Sequence, residues 1–293
     1  MLDHRIDTFL KLCEIRNYTR TAEILSVTQP AVTQHIKFLE QYYGGKLFFY
    51  TGKNLELTDK GEILRKNAMT MKVNSEKLKY MISQEKSNKK EIKFGATLTI
   101  GEYYMPKVLS KLINAHPEYQ MKMYVENTHN LLNKLQHGEI DFALLEGIFD
   151  KHKYETRLVS NEEFICVASP SFNKQSKQPY ELKQLFEKRL ILREKGSGTR
   201  EILEQLLLEK NTTIEDFADI LELGNMNVIK ALTEEDIGIT FLYRIAAEKD
   251  ISDGKLVQLE IKDFAPKREF NFVFLKNSLF KQSYNDIYEK IIT

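Results

Sequence analysis

Residues 19–39 read TRTAEILSVTQPAVTQHIKFL, and this stretch limits the fold of the N-terminal part more than any other. Its spacing predicts two short helices joined by a tight turn. Ala22 and Leu25 form the apolar set of the first. After a break at Ser26 and Val27, Thr28 is placed to cap a second helix, with Pro30 in its first turn, where a missing N–H costs little. Val32, Ile36 and Leu39 then recur at helical spacing and share the buried face. Pro30, Thr33, Gln34, Lys37 and Gln41 fall on the opposite side. That outer face offers amides, hydroxyls and one cation but no carboxylate, a set suited to reading base edges and holding a phosphate in a DNA major groove. Taken alone, the same segment also fits an ordinary helical hairpin with a solvated face.

The surrounding sequence favours nucleic acid. The first 90 residues carry more Lys and Arg than Asp and Glu, and the remainder carries the reverse, although the whole chain has a net charge of only +1. A basic module joined to an acidic one suggests polyanion binding at one end. The length of 293 residues allows about two domains of ordinary size. No apolar run approaches the ~18 residues that span a bilayer. The N-terminus, MLDHRIDTFLKLCEI, scatters charges through its apolar residues, unlike a secretion signal. A cytoplasmic protein without membrane contact is expected. Cys13 and Cys166 are far apart and read as buried small hydrophobes. No metal-ligand spacing is present, and no metal or cofactor is expected.

In chain order, Ile6, Phe9, Leu10 and Cys13 mark a first helix able to brace the helical pair. Beyond Gly44 and Gly45, the runs 47–50 and 55–57 read as two strands around the turn Thr51-Gly52-Lys53-Asn54, making a winged helix. Thr58 then starts a long helix. Its Leu64, Met71 and Leu78 repeat every seven residues, with Ala68, Ser75 and Ile82 interleaved, a seam suited to pairing with a second copy. The polar run 83–90, SQEKSNKK, reads as a hinge. From Glu91 onward strands and helices alternate, with strands expected at 92–96, 121–125, 142–145, 164–168, 190–193, 220–223, 239–242 and 270–275. Helices are expected from Thr99, at 128–137, at 181–186, from Thr199, at 228–233 and at 283–292. This succession argues for a mostly parallel sheet in two α/β lobes, with the chain crossing near Asn161 and returning near Phe264.

Two loop-to-helix junctions could hold an anion: 96–101, ATLTIG, and 195–200, KGSGTR. Each combines hydroxyls with free amides at a helix start, and Arg193 and Arg200 lie close to the second. Simple capping, with Thr99-Ile100-Gly101-Glu102 as a capping box, would explain each junction singly. Their pairing on opposite lobes favours an anion cleft. Glu146 ends a strand and either faces that cleft or is solvated. The spacing of a nucleotide-binding P-loop is missing, and Ser197 has no identifiable base, so no enzyme activity is expected.

The 23 residues YTRTAEILSVTQPAVTQHIKFLE, followed by Leu47-Phe48, Leu57-Thr58 and Gly61-Glu62, resemble the signature of the LysR-type transcriptional regulators, and the similarity extends over essentially the whole chain. The resemblance implies an N-terminal all-α winged helix-turn-helix domain (1–58), a dimerising linker helix and hinge (59–90), and a C-terminal α/β effector domain folded like a type 2 periplasmic binding protein (91–293). Lobe 1 would comprise about 91–161 and 266–293, and lobe 2 about 162–265. It places Gln29, Pro30, Thr33, Gln34 and Lys37 at DNA, to which the helix-turn-helix and wing pattern adds Thr19, Arg20, Thr28, Thr51 and Lys53. It places Thr97, Thr99, Glu146, Ser197, Gly198 and Thr199 at a small-molecule effector, with Arg193 added as the neighbouring cation. Tyr50 stands where the family usually has an arginine. GATLTIGEYYMP and REKGSGTRE further resemble the branch regulating sulfur assimilation and carbon fixation, which favours a small anionic metabolite. The implied partners are double-stranded operator DNA, that metabolite, further copies of the chain in a homodimer or homotetramer, and RNA polymerase. A ligand-responsive regulator of another winged-helix family is the nearest alternative, and an exported solute-binding protein a more distant one.

Overall fold

The computed structural model describes residues 3–83, 89–172 and 179–292. They form two principal compact units, one N-terminal and one C-terminal. Residues 84–88, most of the expected hinge, lie outside the described residues.

The N-terminal unit opens with α1 (His4–Ile15), α2 (Tyr18–Leu25) and α3 (Gln29–Tyr42). Caps set their boundaries. The Asn17 side chain accepts from Arg20 N to start α2, and Ser26 ends it at φ 55°. Thr28 Oγ1 then accepts from Ala31 N to start α3, with Pro30 in the first turn. Ile6, Phe9, Leu12 and Cys13 from α1 meet Ile36 and Leu39 from α3 in one core. Strands β1 (Phe48–Thr51) and β2 (Asn54–Leu57) pair antiparallel, with Thr51 opposite Asn54, and Gly52 supplies the positive φ their turn needs. Helix α4 (Asp59–Ser83) follows, its start capped by Thr58 Oγ1, which accepts from Gly61 N.

The expected seam on α4 is divided. Ala68 is buried in the N-terminal core and Leu64 packs against it, because the winged helix needs an apolar lid there. Met71, Leu78 and Ile82 remain about half exposed or more.

In the C-terminal unit, β3 (Lys90–Ala96) is flanked in parallel by β4 (Tyr119–Val125) and β5 (Phe142–Leu145), with α5 (Met105–Ala115) and α6 (Thr128–Gln136) as connections. The long β6 (Tyr154–Ala168) leaves this lobe. The second lobe holds β7 (Arg189–Arg193), α7 (Gly198–Leu208), β8 (Asp219–Leu223), α8 (Met226–Glu234), β9 (Thr240–Tyr243), α9 (Arg244–Ser252) and β10 (Val257–Leu259). β11 (Lys267–Leu275) returns the chain, and α10 (Lys281–Ile292) closes it. β6 pairs with β11 through residues 154–163 and with β9 and β10 through 164–168, so one strand serves both lobes.

Three expectations need correction. The sheets are mixed rather than mostly parallel: β3, β4, β5 and the pair β7–β8 run parallel, whereas β6, β9, β10 and β11 pair antiparallel because the crossing strands run back along their neighbours. The helix expected at 181–186 is only a 3₁₀ turn, Leu182–Leu185, set by a Glu181 capping box. The segment after Thr99 begins not on a capping box but as a π-helical turn, Ile100–Tyr104, and Thr99 makes no capping bond. Both cysteines are free and buried, as their apolar settings suggested, and burial pushes the Cys13 thiol up to about 12. No helix among the described residues is long and apolar enough to cross a membrane.

Candidate functional site

The cluster in the C-terminal unit grows from strand ends. β3 ends at Ala96 and delivers Thr97 and Thr99; β5 ends at Leu145 and delivers Glu146; β7 ends in Arg193, ahead of the loop carrying Ser197, Gly198 and Thr199. Carboxyl ends of parallel strands are where α/β sheets collect ligands. The Oγ1 atoms of Thr99 and Thr199 both donate to the same atom, Glu146 Oε1, at 2.9 and 3.1 Å. The backbone is held from a third element, since Thr128 Oγ1 at the start of α6 donates to Glu146 O at 3.0 Å. Thr97 N donates to Leu144 O at 3.1 Å, fixing the first loop against the second.

Glycine at two positions allows this approach. A Cβ on Gly198 would stand 2.8 Å from Glu146 O, and Gly147 has φ 92°. The cluster is enclosed: Thr97, Thr99, Glu146, Ser197 and Thr199 are each exposed by 2% or less. Burial pushes the Glu146 carboxyl up to about 7, against the lowering effect of the two threonine hydroxyls and of Arg193. Several buried polar atoms here have no hydrogen-bond partner among the described residues: Glu146 Oε2, Thr97 Oγ1, Arg193 Nη1 and Tyr243 Oη.

The structure thus brings Thr99, Thr199 and Glu146 into direct contact and sets Arg193 near enough to act on Glu146 electrostatically. Arg193 turns its Nε and Nη2 to Glu194, at 2.7 and 2.8 Å. Arg200 is held by Glu204 and Glu222 and also reaches Arg193 O, so it braces the loop. Neither threonine caps a helix: Thr199 lies inside α7, whose N-cap position is Ser197, Thr99 has helical backbone, and both hydroxyls go to Glu146. Sequence reasoning missed Thr128 and Tyr243. Tyr243 ends β9 at its carboxyl end, the same kind of position as the other cluster residues, and that rule alone could have found it.

In the N-terminal unit, Thr19, Arg20, Thr28, Gln29, Pro30, Gln34, Lys37, Thr51 and Lys53 are exposed, and Thr33 is half-buried. Gln29 and Thr33 are tied together, Gln29 Nε2 donating to Thr33 Oγ1 at 3.0 Å. Tyr50 projects from β1 with 64% of its surface exposed.

Comparison with known proteins decides the family. Residues 4–62 match the bacterial regulatory helix-turn-helix protein, lysR family, and residues 85–283 match the LysR substrate binding domain. The chain belongs to the LysR family. It is a LysR-type DNA-binding transcriptional regulator with a C-terminal effector-binding domain of periplasmic-binding-protein-like fold. Among its LysR-type relatives, the HTH-type transcriptional regulator CysL of Bacillus subtilis (strain 168) is 28% identical over 270 residues, 92% of this chain and 89% of CysL. Full-length LysG from Corynebacterium glutamicum, solved with its bound effector Arg, has a TM-score of 0.66 at 15% identity, covering 100% of this chain and 98% of that one. The regulatory domain of Synechocystis PCC6803 CcmR, in complex with 2-PG, has a TM-score of 0.60 at 21% identity, covering 69% and 97%. At these identities the two structures speak for the LysR-type fold alone.

Proposed function

We propose that the effector of this regulator is a small anionic metabolite bound between the lobes by Thr97, Thr99, Arg193, Ser197, Gly198 and Thr199, with Glu146 at its centre. One observation carries the reading: hydroxyls from two separate loop-to-helix junctions converge on a single carboxylate oxygen. Those hydroxyls hold the Glu146 carboxyl in place, leaving the unpartnered Thr97 hydroxyl and Arg193 Nη1 as donors for an oxyanion, and the positive end of α7 reinforces them. CcmR with 2-PG and LysG with Arg illustrate that regulators of this fold take small ligands.

Ligand then biases lobe closure and so shifts the regulator between DNA-bound arrangements. Thr19, Arg20, Thr28, Gln29, Pro30, Thr33, Gln34 and Lys37 face the operator, with Thr51 and Lys53 at its flank. The exposed apolar residues of α4 pair two copies into a homodimer or homotetramer. The protein works in the cytoplasm, needs no cofactor, catalyses no reaction and has RNA polymerase as a further partner. The deciding experiment is isothermal titration of the full chain with carboxylate, phosphate and sulfur oxyanions, followed by operator binding with the best of them. Thr99→Val should abolish the effector response and spare basal operator binding. An unaltered response would move the ligand elsewhere.

A further inference from the structure

The donors around Glu146 are divided unevenly between its two oxygens. Oε1 accepts from both Thr99 and Thr199, whereas Oε2 is buried without a partner among the described residues. With Oε1 saturated by two donors, a proton on this carboxyl belongs on Oε2. The charged and titratable groups acting on Glu146 from the packed elements are Arg193 on β7 and Tyr243 on β9. Arg193 already pairs with Glu194, and the Tyr243 phenol is kept neutral by burial. An anion without a proton entering beside an ionised Glu146 would therefore set its oxygen against the acceptor Oε2 with no hydrogen between them, in a water-poor site with one partly engaged guanidinium nearby.

We propose that the cleft takes its anion together with one proton, shared between Glu146 Oε2 and a ligand oxygen, so that it favours oxyanions of weak acids, which bring that proton, over fully ionised sulfate. The proton balance is closed in both cases. A monoprotonated oxyanion donates its own O–H to the ionised carboxylate, and no proton is taken from solvent. Sulfate brings none, so Glu146 must first bind one from solvent and donate it from Oε2. The buried Thr97 hydroxyl and the unpartnered Arg193 Nη1 supply the remaining polar contacts and do not discriminate. This rests on the anion-binding reading above, to which it adds the class of anion and the residue that selects it.

The test titrates the full chain with inorganic phosphate and with sulfate between pH 6 and 8.5, in buffers of differing ionisation enthalpy. Sulfate affinity should fall by about tenfold per pH unit above neutrality, with uptake of close to one proton per sulfate. Phosphate, which still carries a proton at pH 8, should lose much less. Glu146→Gln, whose amide supplies a permanent donor, should bind sulfate equally across the range. The proton count on the unmodified protein needs no variant. Sulfate binding that is flat with pH, or an unchanged pH slope in Glu146→Gln, overturns the proton sharing while leaving anion binding intact. Failure of both anions to bind at any pH, or affinities untouched by Thr99→Val, overturns the anion reading as well.

Discussion

Gly147 and Gly198 pass so close that a Cβ built on Gly147 would stand 2.7 Å from the Cα of Gly198. The loop after β5 and the first turn of α7 are thereby in backbone contact, and Glu146 reaches the Thr199 hydroxyl across that contact.

Gly147→Ala adds both a clash with backbone and a strained positive φ, the latter alone costing roughly 1 to 3 kcal/mol. Chemical denaturation of the C-terminal transition should show a loss of at least that size, together with loss of effector binding. Wild-type stability in this variant would mean that the two loops do not meet as described.

The pH dependence of stability follows from Glu146. Burial raises its folded pKa to about 7, above the 4.5 of an ordinary glutamate, so the folded state holds this proton more tightly than the unfolded chain does. The stability this gives is fully present below about pH 4.5 and is lost as pH rises through 7, a difference of about 3 kcal/mol. Glu146→Gln should therefore flatten the fall in stability between pH 5 and 8, measured by urea unfolding at each pH. A parallel fall in wild type and variant would remove Glu146 as the cause.

On the DNA side, Lys37→Ala should weaken operator binding and reduce the slope of log affinity against log salt by about 0.9, the loss of one phosphate contact. Gln34→Ala should instead cost about 1 to 3 kcal/mol on the cognate operator and little on unrelated DNA. Gel-shift titrations over a salt series separate the two. Equal losses on both DNAs for Gln34→Ala would deny it a base contact.

Assembly through α4 predicts that Met71→Glu combined with Leu78→Glu yields a monomer that folds normally, since neither side chain belongs to the N-terminal core. Sedimentation equilibrium reads the mass directly. An unchanged oligomer would place the interface on another surface.

Much of this was legible in the sequence because local rules and global packing agree there. The Thr28 cap, Pro30 and the Val32, Ile36 and Leu39 stripe specify α3 without help from elsewhere. Burial of both β3 and β5 made their strands visible as apolar runs. Legibility failed where tertiary partners override local preference. Thr99 has the look of a capping residue, yet its hydroxyl serves a carboxylate 47 positions along the chain. The first ten residues of β6, YETRLVSNEE, carry too many polar side chains to read as a strand; their pairing with β11 supplies what the pattern lacks. Helix α9, RIAAEKDIS, buries only Ala246 and Ala247, too small a face to register as amphipathic. At the candidate site the residue types were readable, but the exposure of Glu146 was not, since a strand-end carboxylate is compatible with solvent or with full enclosure.

The double duty of β6 has a mechanical corollary. Chain connections between the lobes are confined to β6 near Glu163 and Phe164 and to the approach to β11 near Pro266 and Lys267, and Phe164 N donates to Pro266 O at 3.0 Å across them. Any rotation of one lobe on the other must be absorbed by a few torsions at that pair of neighbouring points. The motion available to the effector domain is thus close to a single angle, and the hydrogen bond that Thr199 of one lobe donates to Glu146 of the other fixes its value in this structure.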